Sequence, residues 1–447
     1  MLGPVTVGAE SDGVGQPLQD EDLAILALES DTIVGHVCKV IVTSGPVTRE
    51  GVVDRLRLRL PLAPLLTCRL DSPDAGRQWV PDESFDLERH VSTVRSSAPL
   101  DRRGLLQLVA VIFEQHLDRT RPLWHITTVD LDDGGTALVW RIHHAMADGT
   151  AANRLADLLF WDDRELGGGR SGHAPAVMTP ELAAAHRADD ARRRLHLASF
   201  LRREFGRQPG PSPFDGTVGR RREMALASAS LVDLHRAAHE EGATVNDALL
   251  AVVAGALRQW LEVQHGRVED LRARVPVSMH HEGDRASNRD SCFFVDLPLH
   301  EEDPLERLRL VRRQTAVRKE ARDAQELDQL HRELAAVPQL RDLVERIESS
   351  PRRFAVCISN VPGPRQPVAM LEQPVVGLFG FAEVGEQHAL RVTANSSADQ
   401  LSFGFCVDPV LVPGVEAMAA AAEAEVAALI TAAGGPAGGA PEPPISR

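Results

Sequence analysis

Long apolar runs, paired cysteines and basic charge are all scarce in this sequence, and each scarcity removes a class of function. No uncharged apolar stretch reaches the roughly 18 residues that a membrane-spanning helix needs. The longest candidate, "ALLAVVAGAL" at 248–257, is too short and follows directly on Asn246 and Asp247. The N-terminus, "MLGPVTVGAESDGVGQ", has neither a basic n-region nor an apolar h-region, so no signal peptide is expected. The five cysteines, Cys38, Cys68, Cys292, Cys357 and Cys406, are odd in number and show no C-x-x-C spacing. They read as reduced intracellular thiols. Lys and Arg number 49 against 64 Asp and Glu, a formal net charge of -15. That balance argues against nucleic acid as a partner, because phosphate backbones reward bases. The expectation is a cytoplasmic protein, at most peripheral at a membrane surface.

What is present is an ordinary globular composition, 43% apolar and 25% charged over 447 residues. That is enough chain for two large domains or one very large one, with core to spare for a long apolar cavity. Strands are expected at 36–43 ("HVCKVIVT") and 136–144 ("TALVWRIHH"), and helices at 105–117 and 149–160. Residues 166–223, rich in Gly, Pro and Arg, read as a linker or crossover. The second half repeats the mixed pattern, with helices at 231–242, 244–262 and within 303–348, and a terminal helix at 413–433. Its strands are expected at 272–279, 291–299, 353–361, 388–397 and 401–408. The organisation is therefore a lead-in at 1–20, halves at 21–165 and 224–433, and a disordered tail at 434–447. The fold class is α/β (α+β), and two halves of similar size place a site in the cleft between them.

The chemistry concentrates in "RIHHAMADGT", residues 141–150. Alternation along a strand puts Trp140, Ile142 and His144 on one face and Arg141 and His143 on the other. The two histidines therefore cannot serve one small site together. Zinc is disfavoured, since there is no H-x-x-x-H pair and no third ligand nearby, so no metal is expected. A neutral histidine at a strand-end turn suits removal of a proton from a hydroxyl or thiol. Two satisfied structural histidines are the bland alternative.

Residues 117–160, "LDRTRPLWHITTVDLDDGGTALVWRIHHAMADGTAANRLADLLF", resemble the core of the bacterial wax ester synthase/diacylglycerol acyltransferase family. These are CoA-dependent acyltransferases marked by His-His-x-x-x-Asp-Gly. Further matches follow in order: "WVPDESFDLERHV" (79–91), Pro122-Leu123-Trp124, "PFDGTVGRRR" (213–222), "GATVNDALLAVVAGALR" (242–258), "VPVS" (275–278) and "SNVPGP" (359–364). The resemblance covers about residues 20 to 430. It implies two chloramphenicol-acetyltransferase-like halves, each a mixed sheet flanked by helices, with the active-site channel between them.

The same resemblance implies an O-acyltransferase moving a long-chain acyl group from acyl-CoA to a fatty alcohol or diacylglycerol. His144 would be the general base, with no acyl-enzyme; acyl-CoA is a substrate and no prosthetic cofactor is expected. His143 and Asp148 belong to the motif as structural members, Asp148 holding the turn through a basic partner for which Arg274 is a candidate. Gly149 relieves crowding where the turn meets the helix. Asn360 and Ser359, before a Pro-Gly-Pro turn, are candidates for donating to a developing oxyanion or touching substrate, or simply for capping that turn. Asn246 and Asp247 open a helix, where capping accounts for them, and Trp124 reads as a packing anchor.

The chain departs from the family pattern at His125, where an acidic residue is usual, and at Met279, His280 and His281, where an Arg is usual. Asn395-Ser396-Ser397 replaces a Ser-Tyr pair, in a sequence with no tyrosine anywhere. These departures sustain two other readings: a specialised or condensation-like acyltransferase acting on another alcohol or amine, and a catalytically weak lipid-binding paralogue. The segment 192–207, arginines interleaved with Leu and Phe, fits a solvated helix face or a basic amphipathic helix on a membrane or lipid body. Chain length, acceptor and oligomeric state are not legible.

Overall fold

The computed structural model describes residues 15–94, 96, 98–162, 211–266, 268–278, 290–320 and 353–435. The segment 192–207, Met279, His280 and His281, the charged stretch beyond 320 and the tail beyond 435 lie outside the described residues.

The chain opens with β1 (Gln16–Pro17), α1 (Asp20–Ala27), β2 (His36–Thr43) and α2 (Arg49–Arg59), then β3 (Cys68–Leu70), β4 (Gln78–Pro81) and β5 (Val91–Val94). α3 (Arg102–Phe113) starts where the Asp101 carboxylate accepts the Gly104 N–H at 2.7 Å, a side-chain cap on the first helical turn. β6 (Trp124–Asp130), β7 (Thr136–His143) and α4 (Gly149–Leu159) complete the first half. The second half runs β8 (Glu223–Ser230), α5 (Leu231–Glu240), α6 (Val245–His265), β9 (Leu271–Ser278), β10 (Asp290–Leu297) and α7 (Pro304–Glu320). It ends with β11 (Val356–Pro362), β12 (Ala369–Met370), β13 (Gln373–Ala382), β14 (Leu390–Ser397), β15 (Gln400–Val407) and α8 (Val415–Ala432). The strands expected at 36–43 and 401–408 fall within a residue of place. β8 and β13 were not anticipated, because "EMALASAS" and "QPVVGLFGFA" carry small residues and Gly where a strand pattern wants β-branched ones.

Two six-stranded mixed sheets result. The first has the order β12-β13-β2-β7-β6-β5 and the second β10-β9-β11-β14-β15-β8; β1, β4 and β3 form a small third sheet. The sheets do not follow chain order. β12 and β13, from the second half of the sequence, extend the first sheet, with β13 antiparallel to β2 from Phe381↔Cys38 to Val375↔Thr43. One apolar core runs through both halves: Val40 and Val42 of β2, Phe379 and Phe381 of β13, Phe403 and Phe405 of β15 and the Ala/Leu-rich α6 all belong to it. A second core lies behind the first sheet, where α2 and α4 cover Ile41, Leu138 and Trp140. No described helix is long and apolar enough to cross a membrane.

Candidate active site

β7 stops at His143, one residue short of the expected end, and residues 144–146 turn. The direction of His144 is therefore set by that turn and not by strand alternation. Two backbone bonds fix it: His144 N–H donates to Gly35 O at 2.9 Å, and Met146 N–H to His143 O at 2.8 Å. His143 itself is fully buried behind the turn. Its Nδ1 accepts the Ala145 N–H at 3.1 Å, and its Nε2 faces Glu29 Oε1 at 3.6 Å. Burial raises the Glu29 carboxyl pKa, but the neighbouring His143 and the ion pair with Arg119 outweigh it and hold the group below the usual carboxylate value. Gly35 sits at φ +67°, and a Cβ there would lie 2.6 Å from His143 Nε2, so both backbone and space demand glycine.

Asp148 is wholly buried and caps α4, its carboxylate accepting the Ala151 N–H at 2.7 Å. Gly149 follows for want of room: a Cβ would stand 2.9 Å from Val361 Cγ2 on β11. The charge that supports Asp148 includes one the sequence did not reveal, Lys39 of β2. Lys39 is 5% exposed. Burial brings its ammonium pKa down to about 8, against the opposing pull of Asp148 and Cys38. Lys39 Nζ donates to Asn153 Oδ1 on α4, and Asn153 Nδ2 donates to Pro362 O on β11 at 2.6 Å. This chain of bonds ties the first sheet, the motif helix and the second sheet together just beneath the motif. Arg274, the partner considered for Asp148, lies with its guanidinium 5.9 Å from the Phe354 ring centre.

Where the sheets meet, a cleft opens to solvent, with about 620 Å³ between its walls when that open space is counted. His144, Gly149 and Thr150 line one side; Ser359, Asn360, Val361, Arg391, Thr393 and Asn395 line the other; Lys39, Cys38, Gly380 and Phe381 lie between. Four of the predicted site residues, His144, Gly149, Ser359 and Asn360, therefore line one cavity. His144 is half-buried and so both sheltered and reachable. Ser359 Oγ is 3.5 Å from both Val392 O and Thr393 Oγ1. Burial pushes the Cys38 thiol up to about 12, so it stays protonated and is no nucleophile. Among the described residues, no group of three His, Cys, Asp or Glu could hold a metal ion.

The other motif residues stand away from the cavity. Leu123 O accepts the His143 N–H at 2.9 Å, and Trp124 is buried with Nε1 donating to Leu66 O at 2.7 Å and its ring stacked on His90. With buried Pro122, they brace the strand behind the motif. Asp247 closes a capping box: its Oδ2 accepts from Thr244 N and Oγ1, and its Oδ1 from Thr315 Oγ1 at 2.6 Å. Asn246 lies beside it in the first turn of α6. His125 bonds through Nε2 to Ser92 Oγ at 2.8 Å, and burial together with Arg141 and His90 pushes it down to about 4, so it is neutral at pH 7.

The chain matches the wax ester synthase/diacylglycerol acyltransferase catalytic domain over residues 18–176 and 163–249. It matches the WS/DGAT C-terminal domain over 286–429. A Mycobacterium tuberculosis protein named "Probable diacyglycerol O-acyltransferase tgs1" is 29% identical over 86% of this chain and 85% of its own. The "O-acyltransferase WSD" of Acinetobacter baylyi is 29% identical over 74% of this chain and 78% of its own. Among solved structures, the wax ester synthase/diacylglycerol acyltransferase of Marinobacter aquaeolei superposes with a TM-score of 0.69 at 24% identity, covering 94% of this chain and all of that one. The first condensation domain of the calcium-dependent antibiotic synthetase shares the two-sheet architecture, with a TM-score of 0.61 at 17% identity, covering 95% of this chain and 98% of that one.

Proposed function

The chain belongs to the wax ester synthase/diacylglycerol acyltransferase family, and from that membership we propose that it transfers a long-chain acyl group from acyl-CoA to a fatty alcohol or diacylglycerol, with His144 as general base. The reading is carried by one observation: of the two motif histidines, His144 lies on the cavity wall while His143 is sealed behind it.

The imidazole of His144 takes the proton of the acceptor hydroxyl as its oxygen attacks the thioester carbonyl. The tetrahedral intermediate collapses with cleavage of the C–S bond, and the imidazolium returns its proton to the departing thiolate. The products are an ester and free CoA. Base catalysis of this kind contributes about 10²–10⁴-fold, and holding both substrates in line contributes much of the rest. His143 and Asp148 are positioning residues: the first packs beneath the turn, and the second fixes the first turn of α4. Asn360 and Ser359, across the cavity, stand where substrate contact is expected. Contact with a membrane or lipid body through the 192–207 segment fits substrates of this class.

Incubation with labelled palmitoyl-CoA and either hexadecanol or dioleoylglycerol tests the reading. Wax ester or triacylglycerol formed by the wild type and lost in His144→Ala supports it. Thioester consumption only with some other acceptor, or acyl-CoA binding without turnover, refutes it.

A further inference from the structure

Asn395 lies on β14, opposite Val361 of β11 and Ser402 of β15, and is 2% exposed. Its Nδ2 donates to Val361 O at 3.3 Å. Its Oδ1 is buried in the cavity wall and has no hydrogen-bond partner among the described residues. The two ends of the amide are not interchangeable, since turning it over would set Oδ1 against the Val361 carbonyl oxygen, acceptor against acceptor. The atom left without a partner is therefore the acceptor Oδ1. Gly380 of β13 leaves the space beside it: a Cβ there would stand 3.0 Å from Oδ1. A buried amide oxygen without a donor weakens the empty protein and discriminates strongly when a ligand brings the donor.

We propose that Asn395 is a specificity-determining residue whose Oδ1 accepts a hydrogen bond from a substrate O–H or N–H other than the reacting hydroxyl. The proposal rests on the acyltransferase reading above. An acceptor cannot stabilise an oxyanion, so the role is recognition and not charge stabilisation. Two sources offer the same chemistry: the second hydroxyl of a long-chain diol acceptor, which neither a simple fatty alcohol nor diacylglycerol carries, or an amide N–H in the pantetheine arm of coenzyme A.

The test measures kcat/KM for wild type, Asn395→Leu and Asn395→Asp. Hexadecanol is set against 1,2-hexadecanediol, and palmitoyl-CoA against S-palmitoyl ethanethiol, which has no amide. A loss of about tenfold in Asn395→Leu for the diol but not for hexadecanol assigns the second hydroxyl. The same loss for palmitoyl-CoA but not for the ethanethiol ester assigns the carrier amide. Asn395→Asp keeps an acceptor oxygen and restores the rate only as pH falls, when its protonated carboxyl can donate to Val361 O as Nδ2 does; ionised, it sets oxygen against that carbonyl. Equal rates, or equal losses, across all four combinations overturn the proposal. If the leucine variant does not fold, Asn395→Ala, which fits within the asparagine volume, takes its place. Calorimetric binding of the diol and of palmitoyl-CoA decides the point without turnover. A protein that forms no ester yet loses about tenfold in one of these affinities on substitution refutes the acyltransferase reading and keeps the role of Asn395.

Discussion

Lys39 Nζ on β2 donates to Asn153 Oδ1 on α4, and the asparagine passes the connection on to the Pro362 carbonyl of the second sheet. The motif turn is suspended above this chain, so its geometry depends on two residues outside the motif. Lys39→Met and Asn153→Leu should each destabilise the fold by about 1–3 kcal/mol, the cost of leaving a buried polar partner unmade. The double variant should lose less than the sum, because both remove one connection. Denaturant unfolding of the four proteins gives the coupling directly.

Lys39 also makes stability depend on pH. Its folded pKa, about 8, lies below the ordinary lysine value of 10.5, so burial penalises the charged form. At pH 7 the amine is protonated in both states and the penalty is fully present. Between pH 8 and 10.5 the unfolded chain binds more protons than the folded one, so this group's contribution to stability rises. Lys39→Met should remove that rise, which unfolding at a series of pH values between 7 and 10.5 will detect.

The two histidines should separate cleanly in mutants. His144→Ala is expected to lower kcat by about 10²–10⁴-fold with little change in melting temperature. His143→Ala, which empties a fully buried site beneath the turn, should lower the melting temperature by several degrees. Thermal unfolding beside initial rates distinguishes the two patterns, and the reverse pattern would exchange their roles.

Gly149→Ala forces a methyl group to within 2.9 Å of Val361 Cγ2. Overpacking at this junction should cost about 1–3 kcal/mol and reduce turnover by displacing the motif turn. Val361→Ala in the same chain should recover part of both losses, because it clears the obstructing branch. Failure of the second substitution to help would place the cost elsewhere.

How legible these features were in the sequence depended on whether their cause was local. "HVCKVIVT" and "TALVWRIHH" announce their strands by β-branched content, and Asn246-Asp247 a capped helix start by position, whereas Asp148 was expected to hold the turn through a basic partner and not to cap α4. Lys39 is different. A lysine inside an apolar strand reads as an edge or a snorkelling side chain, and only the arrival of α4 and β11 gives it Asp148 and Asn153. β13 could not be placed either, because nothing in residues 373–382 names β2, some 330 positions earlier, as its neighbour. Asn395 was visible as an oddity of residue type. Its free oxygen became visible only once Val361 O and Gly380 stood on either side of it.

The strand β13 has a consequence for how the molecule can open. It hydrogen-bonds to β2 along most of its length while belonging, in sequence, between strands of the other sheet. The two sheets are stitched by this strand, so any wide separation of the walls would have to break its pairing with β2. Cutting the gene near residue 223 would leave β2 with a bare outer edge of unpaired amides and carbonyls. The first fragment is then expected to aggregate alone and to recover solubility when the second is supplied with it.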